Sequence, residues 1–288
     1  MQLTPYIHAL RIPFEIPVAP GVKVDRFVNC YLATGKEIVL IDTGVAGSER
    51  VIFEYIRTIG RKPEEISEIL LTHAHPDHIG AARAIKEATG CGIAAHPVEV
   101  PWIEDPSLQE RERPVPGFRN LVGGGVKVDR ILADGDSLAI EGAGTLWVFH
   151  TPGHSGGSVS FLMPDGMALF CGDAVPVPGE IPIYEDPVAS VTSLNRLKNI
   201  GNLRLLLSSW DRPRKNGGID RAIDGGIGCI ERIGREVAGI MREDRTLGPA
   251  AITARILARI GLPPTAANPL VVRTILAHMN ALKGELDG

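Results

Sequence analysis

The stretch Leu70-Leu71-Thr72-His73-Ala74-His75-Pro76-Asp77-His78-Ile79-Gly80 decides how the rest of the chain is read. Three histidines and an aspartate fall within six positions, after an apolar run of strand character and before a run of helical character. Imidazole nitrogen and carboxylate oxygen are the donors that suit zinc, iron or manganese, and a strand-to-helix turn can aim several of them at one point. A lone histidine is more often a hydrogen-bonded core or surface residue. Four such residues in His-x-His-x-Asp-His order read as a metal nest.

That order resembles the signature of the metallo-β-lactamase superfamily, and further landmarks follow in family order. Asp42 lies in Leu40-Ile41-Asp42-Thr43-Gly44, His154 in Thr151-Pro152-Gly153-His154-Ser155, and Asp173 in Phe170-Cys171-Gly172-Asp173-Ala174. The likeness spans roughly residues 5 to 215. It implies an α/β fold, the four-layer αββα sandwich, in which both halves of the chain feed ligands to one edge. In the family arrangement His73, His75 and His154 hold one metal ion, Asp77 and His78 hold a second, and Asp173 bridges. Asp42 would sit beneath, orienting ligands from behind. The resemblance implies two divalent ions, zinc first and iron or manganese as alternatives, and a metal-dependent hydrolase. Its nucleophile would be a metal-bound hydroxide, since coordination lowers the pKa of water from 15.7 to about 7. Asp77 would orient that hydroxide or pass its proton to the leaving group of an ester, thioester, lactone or related bond.

One landmark departs from the pattern. Where the family usually places a last metal-binding histidine, the chain reads Leu207-Ser208-Ser209-Trp210-Asp211, and an indole cannot ligate a metal. Three resolutions stay open: Asp211 swings in as a carboxylate ligand, the second ion is weak or absent, or a distant residue such as His96 or His278 completes the shell. A single-ion centre brings in another class, because His73, His154 and Asp173 match the two-histidine, one-carboxylate set of the superfamily's persulfide dioxygenases, a mononuclear non-haem iron oxidoreductase. A metal-binding protein without hydrolytic activity is the third reading.

Composition narrows the rest. A chain of 288 residues, 44% hydrophobic and 22% charged, can bury a full core with room for an appended module. A net charge of −4 gives no basic field, so neither nucleic acid nor an anionic membrane is an expected partner; a small-molecule substrate is. Nothing in the sequence chooses between a monomer and a homodimer. Cys30, Cys91, Cys171 and Cys229 are scattered without a Cys-x-x-Cys pair, which reads as buried thiols in a reducing compartment. The first residues lack the charged start and continuous apolar core of a secretory signal, and no apolar run approaches the ~20 residues needed to cross a bilayer. The expected location is cytoplasmic.

Along the chain, short apolar runs at 7–12, 22–24 and 27–33, punctuated by Pro13, Pro17, Pro20 and Gly21, predict strands. Residues 37–41 predict a central strand ending at Asp42, residues 48–60 a helix, 66–71 the strand into the histidines, 79–88 a helix and 91–98 a strand. Residues 101–125, rich in proline and glycine, fit no template throughout and predict a lid or binding loop. Strand-like runs at 126–129, 131–132, 137–140 and 145–149 are expected to begin a second sheet. A hairpin about Pro164-Asp165-Gly166, a helix at 189–200 and a strand at 203–207 complete it. After a basic, glycine-rich turn at 212–218 come helices at 227–243, 249–260 and 269–283. The expected division is a metallo-β-lactamase-like domain over 1–222 and a C-terminal helical extension over 223–288. The extension's mixed charge gives no basic face for reading DNA. Arg111, Arg113, Arg119, Arg212, Arg214 and Lys215 could anchor an acidic group, though exposed charges usually only solvate a surface.

Overall fold

A computed structural model describes residues 1–286 apart from 20, 178 and 180, so Pro20, expected in the first turn, lies outside the described residues. Two compact units result: Met1–His150 with Gly157–Gly172 and Arg204–Pro213, and Thr151–Gly156 with Asp173–Leu203 and Arg214–Gly288.

The first unit holds two sheets. Strands β1 (Ile7–Ala19), β2 (Val22–Thr34) and β3 (Ile38–Ile41) pair antiparallel; helix α1 (Glu49–Thr58) then leads to β4 (Ile66–Leu70), parallel to β3. Helices α2 (Pro76–Ile79) and α3 (Ala82–Thr89) lead on to β5 (Gly92–Ala95), parallel to β4. The middle strands are apolar on both faces, and successive residues alternate between two cores. Cys30, Leu32, Ile38, Leu40, Ile69 and Ile93 face the helices, while Tyr31, Ala33, Val39, Ile41, Leu70 and Ala94 face the second sheet. A strand buried on both sides reads as the continuous apolar run seen at residues 38–41.

Several expectations for this unit need correcting. The opening runs form one hairpin of two thirteen-residue strands. Pro13 and Pro17 do not interrupt it because β1 is the sheet's edge, where a missing N–H leaves no ladder bond unmade. Residues 101–125 are not one irregular loop: they contain α4 (Val100–Glu104), α5 (Pro106–Glu112) and α6 (Phe118–Leu121). Pro101 and Pro106 sit in first turns, where proline fits, and Asp105 caps α5 through the Ser107 amide at 3.0 Å. The helix expected over 79–88 breaks at Gly80, whose added Cβ would lie 2.3 Å from the Leu121 carbonyl oxygen and 2.5 Å from Val45. Three backbone segments meet there, and only glycine fits.

The run at 126–129 does not open the second sheet either; Val126 and Val128 pack into the first core, and β6 (Arg130–Ile131) extends the first sheet beside β5. The second sheet begins with β7 (Ser137–Ile140), followed by β8 (Gly144–His150), β9 (Val159–Met163), β10 (Ala168–Gly172) and β11 (Leu205–Ser208). Only the β10–β11 pair is parallel among these neighbours. With two sheets face to face and helices outside, the α/β sandwich expected from the sequence is the observed fold.

The second unit is mainly helical: α7 (Pro187–Lys198), α8 (Gly217–Glu243), α9 (Pro249–Arg259) and α10 (Pro269–Leu286). Helix α8 starts ten residues before its expected position, through the glycine-rich turn, because Ile219, Ile223, Gly226 and Ile230 continue its buried face. Burial outweighs the poor helix propensity of glycine. The division expected between residues 222 and 223 therefore falls inside one continuous helix. Ile233, Val237 and Ile240 of α8, Ile252 and Ile256 of α9, and Val271, Ile275 and Met279 of α10 share one core with Ile181. Among the described residues no helix is long and apolar enough to cross a membrane.

Within this unit Tyr184 Oη lies 2.6 Å from His278 Nε2, and burial lowers the His278 pKa from its ordinary 6.5 to about 4. A depressed histidine pKa means that the unfolded chain binds the proton first. Its stabilising contribution is complete above pH 6.5 and is lost as pH falls toward 4, amounting to about 3 kcal/mol over that window. Urea denaturation should show this decline, and His278→Gln should flatten it.

Candidate metal centre

The histidine stretch leaves β4 at Leu70 and turns into α2 at Pro76. Its side chains point into the protein: His73, His75 and His78 are 1%, 3% and 0% exposed. The His73 ring centroid lies 4.5 Å from that of His75 and 3.9 Å from that of His78.

Asp42 sets their orientation. It follows β3 in the left-handed conformation, φ 56°, which is uncommon for a non-glycine residue and better tolerated by aspartate than by most. Its Oδ1 accepts the Thr72 amide at 2.8 Å, and its Oδ2 accepts the Thr72 hydroxyl and faces His78 Nδ1, each at 2.8 Å. Thr72 Oγ1, its proton committed to Asp42, lies 3.0 Å from His73 Nδ1 and accepts from that nitrogen. Both rings thus carry their proton on Nδ1 and present a lone pair at Nε2. Gly172 lets β10 pass this close, since a Cβ there would lie 2.8 Å from Thr72 Oγ1.

The His78 Nε2 lone pair lies 3.4 Å from Asp77 Oδ2, which is buried and accepts no hydrogen bond among the described residues. The second unit repeats the arrangement. His154 Nδ1 lies 2.7 Å from the Ile183 carbonyl oxygen, which can only accept, so the proton is on Nδ1 and the lone pair on Nε2. That Nε2 lies 3.4 Å from Asp173 Oδ2. Two electron-rich atoms facing each other away from water call for a cation between them. Ligands of a tetrahedral zinc ion, bound at about 2.0–2.2 Å, stand roughly 3.4 Å apart. The donor set therefore fits a metal.

The remaining expected residues are placed as follows. Trp210 follows β11 and packs edge-on against Phe14, centroids 6.1 Å apart, and beside Phe27 at 6.4 Å. Arg11 covers the same Phe27 ring at 3.7 Å. Trp210 is thus engaged in aromatic packing against the long hairpin. Asp211 Oδ1 accepts the Arg212 amide at 2.8 Å, and its carbonyl accepts Asn29 Nδ2 at 2.7 Å. His96 stacks on His150, centroids 4.3 Å apart, with its pKa lowered by burial and by that neighbour. His278 is engaged with Tyr184 in the helical core. All four cysteines are buried thiols.

Two functional residues escape the sequence reading. Glu99, 3% exposed, accepts the Ala74 amide between His73 and His75 at 2.8 Å and the Gly157 amide at 2.8 Å. Gln109 Nε2 donates to the Ala74 carbonyl at 2.7 Å, so both backbone polar groups of that residue are held by side chains. No local pattern marks either one.

Comparison with known proteins agrees with this geometry. A hydroxyacylglutathione hydrolase from Hyphomonas neptunium is 37% identical over 136 residues, covering 47% of this chain and 44% of its own. A metallo-beta-lactamase family protein from Thermus thermophilus superposes with a TM-score of 0.78 at 22% identity, over 99% of this chain and 95% of that one, and shows the likeness of fold. A protein crystallised in a di-iron-bound form is 32% identical, covering 68% of this chain and 93% of its own, with a TM-score of 0.55. The metallo-beta-lactamase superfamily model matches residues 24–208, which include every histidine and aspartate of the two donor pairs, and this chain belongs to that superfamily.

Proposed function

We propose that the chain is a metal-dependent hydrolase whose two donor sets serve one centre: His73, His75 and His154 hold one divalent ion, Asp77 and His78 a second, and Asp173 bridges. The observation that carries this reading is the pair of imidazole lone pairs each facing a carboxylate oxygen at 3.4 Å. The donor groups His73, His75, His154 and His73, His78, Asp173 support it chemically. Zinc is the first choice for such a nitrogen-rich set, with iron or manganese as alternatives. Bound there, the ions supply Lewis acidity and lower the pKa of water.

The chain's own residues do the rest. Asp42 and Thr72 hold His78 and His73 in the tautomer that presents Nε2. Asp77 would orient the attacking water or pass its proton to the leaving group through Oδ1, since Oδ2 is the oxygen turned toward His78 Nε2. The hydroxyacylglutathione hydrolase relative favours a thioester as the bond to test first. Asp211, next to Trp210, is the proposed substitute for the family's last histidine.

Protein produced with ample transition metal should hold about two ions per chain and hydrolyse a thioester from a panel that also contains esters and lactones. His73→Ala and Asp173→Ala should each lose metal and lower kcat/KM by about a thousandfold, the equivalent of roughly 4 kcal/mol. Elemental analysis and steady-state kinetics check both; metal-loaded protein inert on the whole panel, or one iron per chain with oxygen uptake on a persulfide, would overturn the reading. Asp42→Asn offers one acceptor oxygen where three donors converge. It should weaken metal binding at least tenfold in chelator competition, and lower stability in urea by roughly 1–3 kcal/mol. Asp211→Asn should lower the affinity of the second equivalent while sparing the first, which a stepwise titration resolves.

A further inference from the structure

The C-terminal helices take no direct part in the assignment above, yet one of them reaches the peptide that holds a proposed ligand. We propose that Thr274, on α10, is a positioning residue for His154, so that metal binding and docking of the C-terminal helix onto residues 182–184 are energetically coupled. This rests on the reading of His154 as a metal ligand.

Between β10 and α7, residues 173–186 form no helix or strand among those described. A segment without regular structure has to find partners for its backbone groups one by one. Its Ile183 carbonyl accepts His154 Nδ1–H at 2.7 Å, so the direction of the His154 lone pair depends on where that carbonyl stands. Thr274 brackets it. The Tyr184 amide donates to Thr274 Oγ1 at 3.3 Å, and Thr274 Oγ1–H donates to the Pro182 carbonyl at 3.2 Å. One hydroxyl therefore fixes the residues on both sides of Ile183.

The same helix adds a second anchor one turn on. Tyr184 Oη lies within hydrogen-bond distance of His278 Nε2, at 2.6 Å. Burial disfavours charge on either partner, which keeps this bond neutral. Helix α8 makes room for the ring at Gly234, where an added Cβ would stand 3.2 Å from His278 Nδ1. Ile181 continues the attachment by packing into the three-helix core. The neighbouring turn is tied to the same segment, because the Gly153 carbonyl accepts the Glu185 and Asp186 amides at 2.7 and 3.0 Å.

A ligand so oriented from behind couples in both directions. Whatever disorders 182–184 weakens the metal, and the metal in turn orders 182–184 and the helix beyond. A Thr274 that only filled space would show the first effect weakly and the second not at all.

The test uses the full chain, zinc ions with a competing chelator, and hydrogen exchange. Thr274→Val keeps the shape and removes the hydroxyl; it should weaken zinc about tenfold, at the low end for groups that orient ligands. Thr274→Ser should restore the affinity to within about twofold, as the hydroxyl is what counts. Zinc should slow amide exchange in α10 of the parent and fail to do so in Thr274→Val. His154→Ala is the control. If it lowers zinc affinity while Thr274→Val does not, the coupling is refuted and the metal assignment stands. If His154→Ala itself leaves affinity unchanged, the metal assignment fails and takes the coupling with it. Should Thr274→Val not fold, Tyr184→Phe replaces it, with loss of zinc-dependent protection of α10 supporting the coupling and retention refuting it.

Discussion

A buried carboxylate holds the first set of donors in place. Asp42, 1% exposed, gathers the Thr72 amide, the Thr72 hydroxyl and His78 Nδ1 from a strained left-handed backbone. A desolvated carboxylate is costly, and a charge buried without a cationic partner is tolerated only with several well-placed donors. Three converge here. Their convergence dictates which nitrogen of His78 carries the proton, and through Thr72 it dictates the same for His73. An apolar strand thus ends in a directed set of lone pairs because one anion sits behind it.

The sandwich itself is plainly legible in the sequence, for a physical reason. Residues 38–41 and 69–71 are apolar without alternation, as a strand covered on both faces requires, and the His-x-His-x-Asp-His order sits where such a strand must end. Misreadings arise where local chemistry has two outcomes. Pro13 and Pro17 punctuate a strand in the middle of a sheet and are harmless on its edge; Pro101 and Pro106 break a helix in its interior and start one at its first turn. The glycines before Ile219 argue for a turn until Ile219 and Ile223 are seen to be buried. In each case tertiary position decides, and sequence proximity does not encode it.

Trp210 shows the limit most clearly. Sequence order marks it as the site of a missing histidine and offers no account of what the indole does instead. The structure supplies one: Phe14 and Phe27, almost two hundred residues earlier, bring the long hairpin against it. Phe14, Phe27 and Trp210 are each half-buried, and their packing anchors the hairpin at the end of β11.

The groups that hold the ligand-bearing turns share one physical role, and of them only Asp42 is marked in the sequence. Ligands from separate turns can meet only if those turns leave regular structure, and each departure strands amides and carbonyls that a helix or strand would have paired. Asp42 takes the Thr72 amide, Glu99 takes the amides of Ala74 and Gly157, and Thr274 clasps the backbone on both sides of Ile183. All three are polar side chains on other elements that engage backbone groups next to a donor, and Asp42 holds the His78 ring as well. A motif names the atoms that face an ion, since their spacing along the chain is fixed by a turn. It is silent about the groups that hold the turn, because those are chosen by distance in space alone, and any element that passes close enough can provide them.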